Sequence, residues 1–244
     1  MAVSYGRKTI RIGAQPSVSR FREQWEKALP IDAPVVFVVD DDAAILRALT
    51  RLIAANGLEA RPFSSPAAFL DTHDAQQPGC AIIDIAMPGL NGLELQERMV
   101  EQGSHRPIIF LTGYGDVPTS VQAMKAGAVD FLMKPVDEEA LLSAIAVAIE
   151  EDAAAREDQA ELEPLQRRYA GLTLRECQVF AHVVSGRLNK QIAGDLGIVE
   201  KTVKVHRAHV MEKMGAGSLA ELVRIAERLG LDRLPGRYSA EKVD

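Results

Sequence analysis

The alternation of short aliphatic runs with amphipathic stretches between residues 34 and 150 constrains this chain more than any other feature. Val35–Val39 and residues 81–83, 108–111 and 129–132 are β-branched or aliphatic, and each run is bounded by Gly, Pro or Asp. Runs that are apolar at every position read as strands buried on both faces, which is the environment of a parallel sheet. Glu59–Phe63 makes a fifth strand. Between the runs lie helical patterns, with Ile45, Leu49, Leu52 and Ile53 sharing one face of residues 43–56, and Leu93, Leu95 and Met99 sharing one face of residues 91–102. Strands alternating with helices predict a doubly wound α/β domain around a five-stranded parallel sheet.

In such folds ligands bind beyond the carboxyl ends of the strands, at the point where strand order reverses. The predicted strand ends deliver Asp40, Asp41, Asp42 and Asp84, the Thr112 hydroxyl and the Lys134 ammonium to one rim. Clustered carboxylates repel, so they hold a proton or share a cation. All-oxygen ligands completed by water suit Mg²⁺. A lysine and a hydroxyl opposite such a cation form a receptacle for a phosphoryl group, with Asp84 the natural nucleophile. An acidic run alone reads as a solvated loop; the combination with Asp84, Thr112 and Lys134 is what makes it a site. Met87 and Met133 read as packing residues, and Cys80 and Cys177 as small buried hydrophobes.

Charge divides the 244 residues more sharply than the overall net of −6 suggests. Residues 34–150 carry 7 Lys+Arg against 16 Asp+Glu, net −9, and residues 151–170 carry 3 against 6, net −3. Residues 171–244 carry 12 against 9 and residues 1–33 carry 6 against 3, each net +3. A basic C-terminal module on an acidic chain predicts nucleic-acid binding confined to that module. No apolar stretch approaches the ~20 residues of a membrane span, and no secretory signal pattern opens the chain, so a cytoplasmic protein without membrane contact is expected.

The C-terminal module reads as all helical. Thr173 with Glu176 three residues on is a capping-box pattern opening a helix that stops near Gly186. Residues 189–196, a Gly197-Ile198 turn and residues 201–214 outline a helix-turn-helix, followed by a helix over residues 218–229. At 3.6 residues per turn, Val203, Val210 and Met214 share the inward face of residues 201–214, with His206 at its edge. Lys201, Lys204, Val205 and Ala208 share the other. Two lysines among small apolar residues can enter a major groove, the lysines reaching guanine acceptors or phosphates and the small side chains thymine methyls; Arg207, beside the stripe, is placed for phosphate. The expected organisation is an extension over residues 1–33, the α/β domain over 34–150, a partly helical linker over 151–170 that Pro164 interrupts, and the DNA-binding module over 171–244. Val18, Phe21, Trp25 and Leu29 have the spacing of an amphipathic helix within the extension, with a disordered tail as the alternative.

Residues 34 to about 150 resemble the response-regulator receivers of two-component signalling. The resemblance is carried by Val38-Val39-Asp40-Asp41-Asp42, Asp84-Ile85-Ala86-Met87-Pro88-Gly89, Leu111-Thr112-Gly113 and Lys134-Pro135. It implies that Asp84 takes phosphate from a sensor histidine kinase as an acyl phosphate. Asp41, Asp84 and the Ala86 backbone carbonyl would then hold Mg²⁺ with Asp40 assisting, and Lys134 would pair with the phosphate. It further implies that Thr112 and Phe131 form the switch, that Lys134-Pro135 is a cis peptide, and that the response appears over residues 117–150. Tyr114, two residues beyond Thr112, would shield the acyl phosphate from water.

Residues 170–232 resemble the LuxR/NarL-type DNA-binding domain through Leu172-Thr173, Arg175-Glu176, Gly186, Asn189-Lys190, Ile192-Ala193, Leu196, Thr202-Val203-Lys204, His206 and Lys213-Met214. With the receiver ahead of it, the whole resembles the FixJ-type transcription regulators, in particular those of aromatic-catabolism operons. The resemblance implies DNA contact by Asn189, Lys190, Lys201, Thr202, Lys204, Val205, Arg207 and Ala208. Ala208 departs from members with a long basic residue there, and Val199 from the Ser or Thr that would cap the recognition helix. The implied function is a phosphorylation-activated transcription regulator and not an enzyme in its own right. When phosphorylated it would dimerise, or release the DNA-binding helices, or both; it would bind two half-sites of promoter DNA and have RNA polymerase as a further candidate partner. Two rival readings are a DNA-binding regulator with an inert receiver and an aspartyl-nucleophile phosphatase. The latter needs a second acid where Ala86 stands.

Overall fold

The computed structural model describes residues 33–231 apart from 73, 114–120 and 122. The helix expected within residues 1–33 and the shielding position of Tyr114 lie outside the described residues. The chain divides between Ala155 and Arg156 into two compact units.

In the first unit the strands are β1 (Val35–Val39), β2 (Glu59–Phe63), β3 (Gly79–Asp84), β4 (Ile108–Thr112) and β5 (Asp130–Met133). All pair in parallel, in the order β2-β1-β3-β4-β5. The described helices are α1 (Ala43–Ala55), α2 (Pro66–Thr72), α3 (Gly92–Glu101) and the start of α4 (Glu138–Ala170). This is the expected doubly wound sheet, and alternation along the strands explains it. Val36 and Val38 join Leu46, Leu49, Ile53, Leu141 and Ile145 on one face, while Val35, Phe37 and Val39 join Phe69, Leu95 and Met99 on the other. Each such side chain, fully buried, contributes about 1.5–3 kcal/mol, so neither helical layer can leave without exposing a core. β2 is an edge strand, which is why it tolerates Pro62 and the exposed Glu59–Arg61 pair.

The second unit holds the remainder of α4 with α5 (Leu174–Val184), α6 (Asn189–Leu196), α7 (Glu200–Met214) and α8 (Leu219–Arg228). Its core is Val179, Phe180, Val183, Ile192, Val203, Val210, Met214 and Leu222, joined by Leu165 and Leu172. Thr173 caps α5 through the expected capping box with Glu176. Val199 caps α7 with no side-chain hydrogen bond, as its apolar side chain dictates.

Three expectations need correction. Helix α4 runs through Pro164 to Ala170 instead of breaking there. Proline withholds one N–H from the ladder, but the flanks are strong helix formers, with Leu165 and Tyr169 drawn into the second core. Met133 is 60% exposed, because it stands at the end of the edge strand β5, beyond the reach of the helical layer. Cys80 is buried, but Cys177 is only half-buried against the second core.

Candidate functional site: an acidic pocket on the sheet and a cationic helix face

Asp40 leaves the end of β1 and Asp84 ends β3, the adjacent strands at which the order reverses. Asp40, Asp41 and Asp84 offer carboxylate oxygens that all lie within 4.8 Å of one another. Asp40 and Asp84 are buried, whereas Asp41 is exposed, so the cluster opens to solvent on one side. Lys134, just past β5, places its ammonium 2.6 Å from Asp40 Oδ2 and 3.0 Å from Asp84 Oδ1. Its backbone N–H donates to the Thr112 carbonyl at 2.7 Å, and the Lys134-Pro135 peptide is cis, as expected.

Three carboxylates and one ammonium leave a local excess of negative charge. Burial pushes the Asp40 carboxyl up, against the opposing pull of the Lys134 hydrogen bond and the Asp42 backbone N–H. Burial likewise works against the Lys134 ammonium, but its hydrogen bonds to Asp40 and Asp84 carry it above its usual value. The lysine therefore stays charged and bridges the two acids. Their remaining oxygens, with those of Asp41, form an all-oxygen donor set that fits a small hard cation.

Thr112 is buried at the end of β4. It pairs in register with Met133, and Phe110 with Phe131. Because side chains alternate, Thr112 and Phe131 point to the same face of the sheet, on neighbouring strands. Phe131 is half-buried against the face that contains Phe110. Ala86 is exposed in the loop after β3.

Two supporting residues escaped the sequence reading. Asp42, counted there only as part of the acidic run, caps α1 by accepting from the Ala44 and Ile45 N–H groups. Its own N–H donates to Asp40 Oδ1 at 2.9 Å and so fixes that carboxylate. Gly92 opens α3 hard against the end of β3, and a Cβ there would stand 2.5 Å from the Asp84 carbonyl oxygen. The Asp-x-x cap pattern would have revealed the first; the second depends on a turn that sequence does not show.

In the second unit, Lys201, Lys204, Val205 and Ala208 are all exposed on α7, opposite buried Val203, Val210 and Met214. The projected stripe is thus a continuous outward face. Lys190 is exposed beside it, and Asn189 and Thr202 are half-buried. Two pairings went unforeseen. Lys204 Nζ lies 3.2 Å from Glu200 one turn earlier, and Arg207 Nη1 donates to Asn189 Oδ1 at 3.2 Å, tying α7 to the first residue of α6. Beside the last turns of α7 Glu176 is buried, and the Lys213 ammonium at 2.6 Å together with the Thr173 backbone N–H holds its carboxyl down to about 2.

Comparisons with known proteins agree with this two-part fold. Residues 36–146 match the model of the response regulator receiver domain, and residues 170–226 that of bacterial regulatory proteins of the luxR family. The chain is 45% identical over 195 residues to the response regulator protein TmoT of Ectopseudomonas mendocina, covering 80% of this chain and 89% of TmoT. It is 43% identical over 203 residues to the transcriptional regulatory protein FixJ of Azorhizobium caulinodans, covering 83% of this chain and 96% of FixJ. Among solved structures it is similar to the response regulator StyR, with a TM-score of 0.67 at 43% identity over 80% of this chain and 99% of StyR. It is also similar to full-length FixJ from B. japonicum, with a TM-score of 0.50 at 43% identity over 81% of this chain and 98% of that one. Among the described residues no helix is long and apolar enough to cross a membrane.

Proposed function

The chain belongs to the FixJ-type response regulators, transcription regulators that join a receiver to a LuxR-type DNA-binding domain, and for a member of that family we propose that Asp84 is the phosphoacceptor. The observation that carries the reading is the single Lys134 ammonium shared by buried Asp40 and Asp84. It keeps the nucleophile oriented and leaves a cation in place to meet an incoming phosphoryl oxygen.

A sensor histidine kinase presents phosphohistidine. An Asp84 carboxylate oxygen attacks phosphorus, the P–N bond breaks with its electron pair returning to the imidazole, and an acyl phosphate remains on Asp84. Asp40, Asp41, Asp84 and the Ala86 carbonyl would hold Mg²⁺, which supplies charge neutralisation at the phosphoryl oxygens. Lys134 exchanges a carboxylate for the phosphate. The Thr112 hydroxyl turns to a phosphoryl oxygen, and Phe131, on the same face, moves into the space it leaves. Water attack on phosphorus later regenerates the Asp84 carboxylate, so the chemistry is that of a timed switch.

Residues 117–150 carry the response, which brings two copies together. Two DNA-binding domains then engage two half-sites of a promoter, with RNA polymerase as the further partner. Lys201, Lys204, Val205 and Ala208 face the bases, while Asn189, Lys190, Thr202 and Arg207 lie at the backbone. The test is solution mass by light scattering with and without beryllofluoride and Mg²⁺, on the intact protein and on Asp84→Asn. Doubling confined to the intact protein is expected. An identical response from both would remove Asp84 as the acceptor.

A further inference from the structure

Family matching begins the DNA-binding domain at residue 170, yet side chains before that point grip its recognition helix. Within the second unit, Leu165 is buried in the core and the Tyr169 ring packs edge-on against Phe180 at 5.3 Å. Glu161 and Arg228 are ion-paired at 2.5 Å, fastening the same stretch of α4 to α8. Arg168, between these anchors, donates from Nη1 to the Met214 carbonyl at 3.2 Å. Met214 is the last residue of α7, so its carbonyl has no partner within the helix and lies at the negative end of the helix dipole.

The space for this contact is made by the sequence. The next residue is Gly215, at φ 68°, and a Cβ on it would stand 2.8 Å from Arg168 Nη1. A second strap runs the other way: Lys213, in the last turn of α7, reaches the Gly171 carbonyl at 3.3 Å and Glu176 at 2.6 Å. The end of α7 and the end of α4 are therefore laced together by one cation from each side.

We propose that Arg168 is a positioning residue for DNA recognition: by capping α7 at Met214 it fixes the angle at which the Lys201–Lys204–Val205–Ala208 face is presented. This rests on the reading of that face as the DNA contact. Arg168 itself touches no DNA in this account. Its removal leaves that end of the helix held by the Lys213 strap alone while the bases are read near the other, so affinity falls through misalignment and not through a lost phosphate contact.

The experiment uses the full chain activated with beryllofluoride and Mg²⁺, and a duplex selected from a randomised pool by the unsubstituted protein. Binding is titrated to saturation at several salt concentrations for the unsubstituted chain, Arg168→Ala and Arg168→Lys. The loss of a charge-assisted hydrogen bond predicts roughly tenfold weaker binding for Arg168→Ala. The amount bound at saturation should be unchanged, because the variant still folds. The dependence of log K on log salt should also be unchanged, whereas a lost phosphate contact would flatten it by about 0.9. Arg168→Lys, which keeps a charged donor, should recover much of the affinity. Equal affinity for Arg168→Ala, a flattened salt dependence, or a fall only in the saturating amount would each overturn the proposal. Failure of the unsubstituted chain to select any duplex would instead overturn the DNA-binding reading on which it rests.

Discussion

Replacing Lys134 by Met removes the only side-chain cation in hydrogen-bond range of Asp40 and Asp84 among the described residues, while keeping an unbranched side chain one atom shorter. Breaking a buried ion pair from one side costs about 3–5 kcal/mol, because the other charge is left without compensation. Here two carboxylates are abandoned, with side-chain exposures of only 1% and 7%. The cost is limited by proton uptake: burial already pushes the Asp40 carboxyl up, and without the ammonium it rises further. The low end of the range, about 3 kcal/mol at neutral pH, is therefore expected. The sign follows from linkage. An acid raised in the folded state contributes stability fully below its unfolded value of 3.8, and that contribution is lost as pH climbs through the folded value. The deficit of Lys134→Met relative to the unsubstituted chain should thus be small near pH 4 and complete at neutral pH. Hydrogen exchange at the β3 and β4 amides, corrected for intrinsic rates, reads the first unit separately from the second. Exchange should be a little over two decades faster in the variant at neutral pH, since each decade is about 1.4 kcal/mol. Equal protection at neutral pH, or a deficit that does not shrink toward acid, would refute the reasoning.

Glu176→Gln tests the buried acid of the second unit: its carboxyl, held down to about 2 by Lys213 and the Thr173 N–H, contributes stability above its ordinary value of 4.5 that is lost as pH falls through about 2. The urea midpoint of the unsubstituted chain should exceed that of the variant at neutral pH and converge with it near pH 2; a constant gap would show that the charge is not responsible. Val199→Ser supplies the missing cap of α7 at an extended residue that is 67% exposed, so about 1 kcal/mol of added stability is expected in urea unfolding, and a lowered midpoint would contradict it.

How legible the fold was depended on where each element lies in it. β1, β3 and β4 are buried at every position, so up to the polar residues that end β3 and β4, Asp84 and Thr112, their sequences are apolar runs that cannot be mistaken for a polar surface. The capping box at Thr173 and the inward stripe of α7 were equally plain, because each is set within a single helix. Pro164 misled because its local cost is offset by packing of Leu165 and Tyr169 against residues distant in sequence. The membership of the acidic pocket could be read from strand ends. Its internal wiring could not: Lys134 and Asp40 are 94 residues apart, and the bridging of Asp40 and Asp84 by one ammonium depends on the register of β5 against β4. The same holds for Arg207, placed beside the outward lysine stripe by projection but turned toward Asn189 by the packing of α6 on α7.

The strand that bears Asp84 and the strand that bears Phe131 differ mechanically. β3 is flanked by β1 and β4 and is buried at all six positions, so a displacement would have to break two ladders and both helical layers at once. β5 has a single neighbour and no fully buried residue. A load applied at the middle of this sheet therefore finds a stiff anchor at its point of application and its compliance at one margin. Such a lever needs little travel at the fulcrum to move its free end.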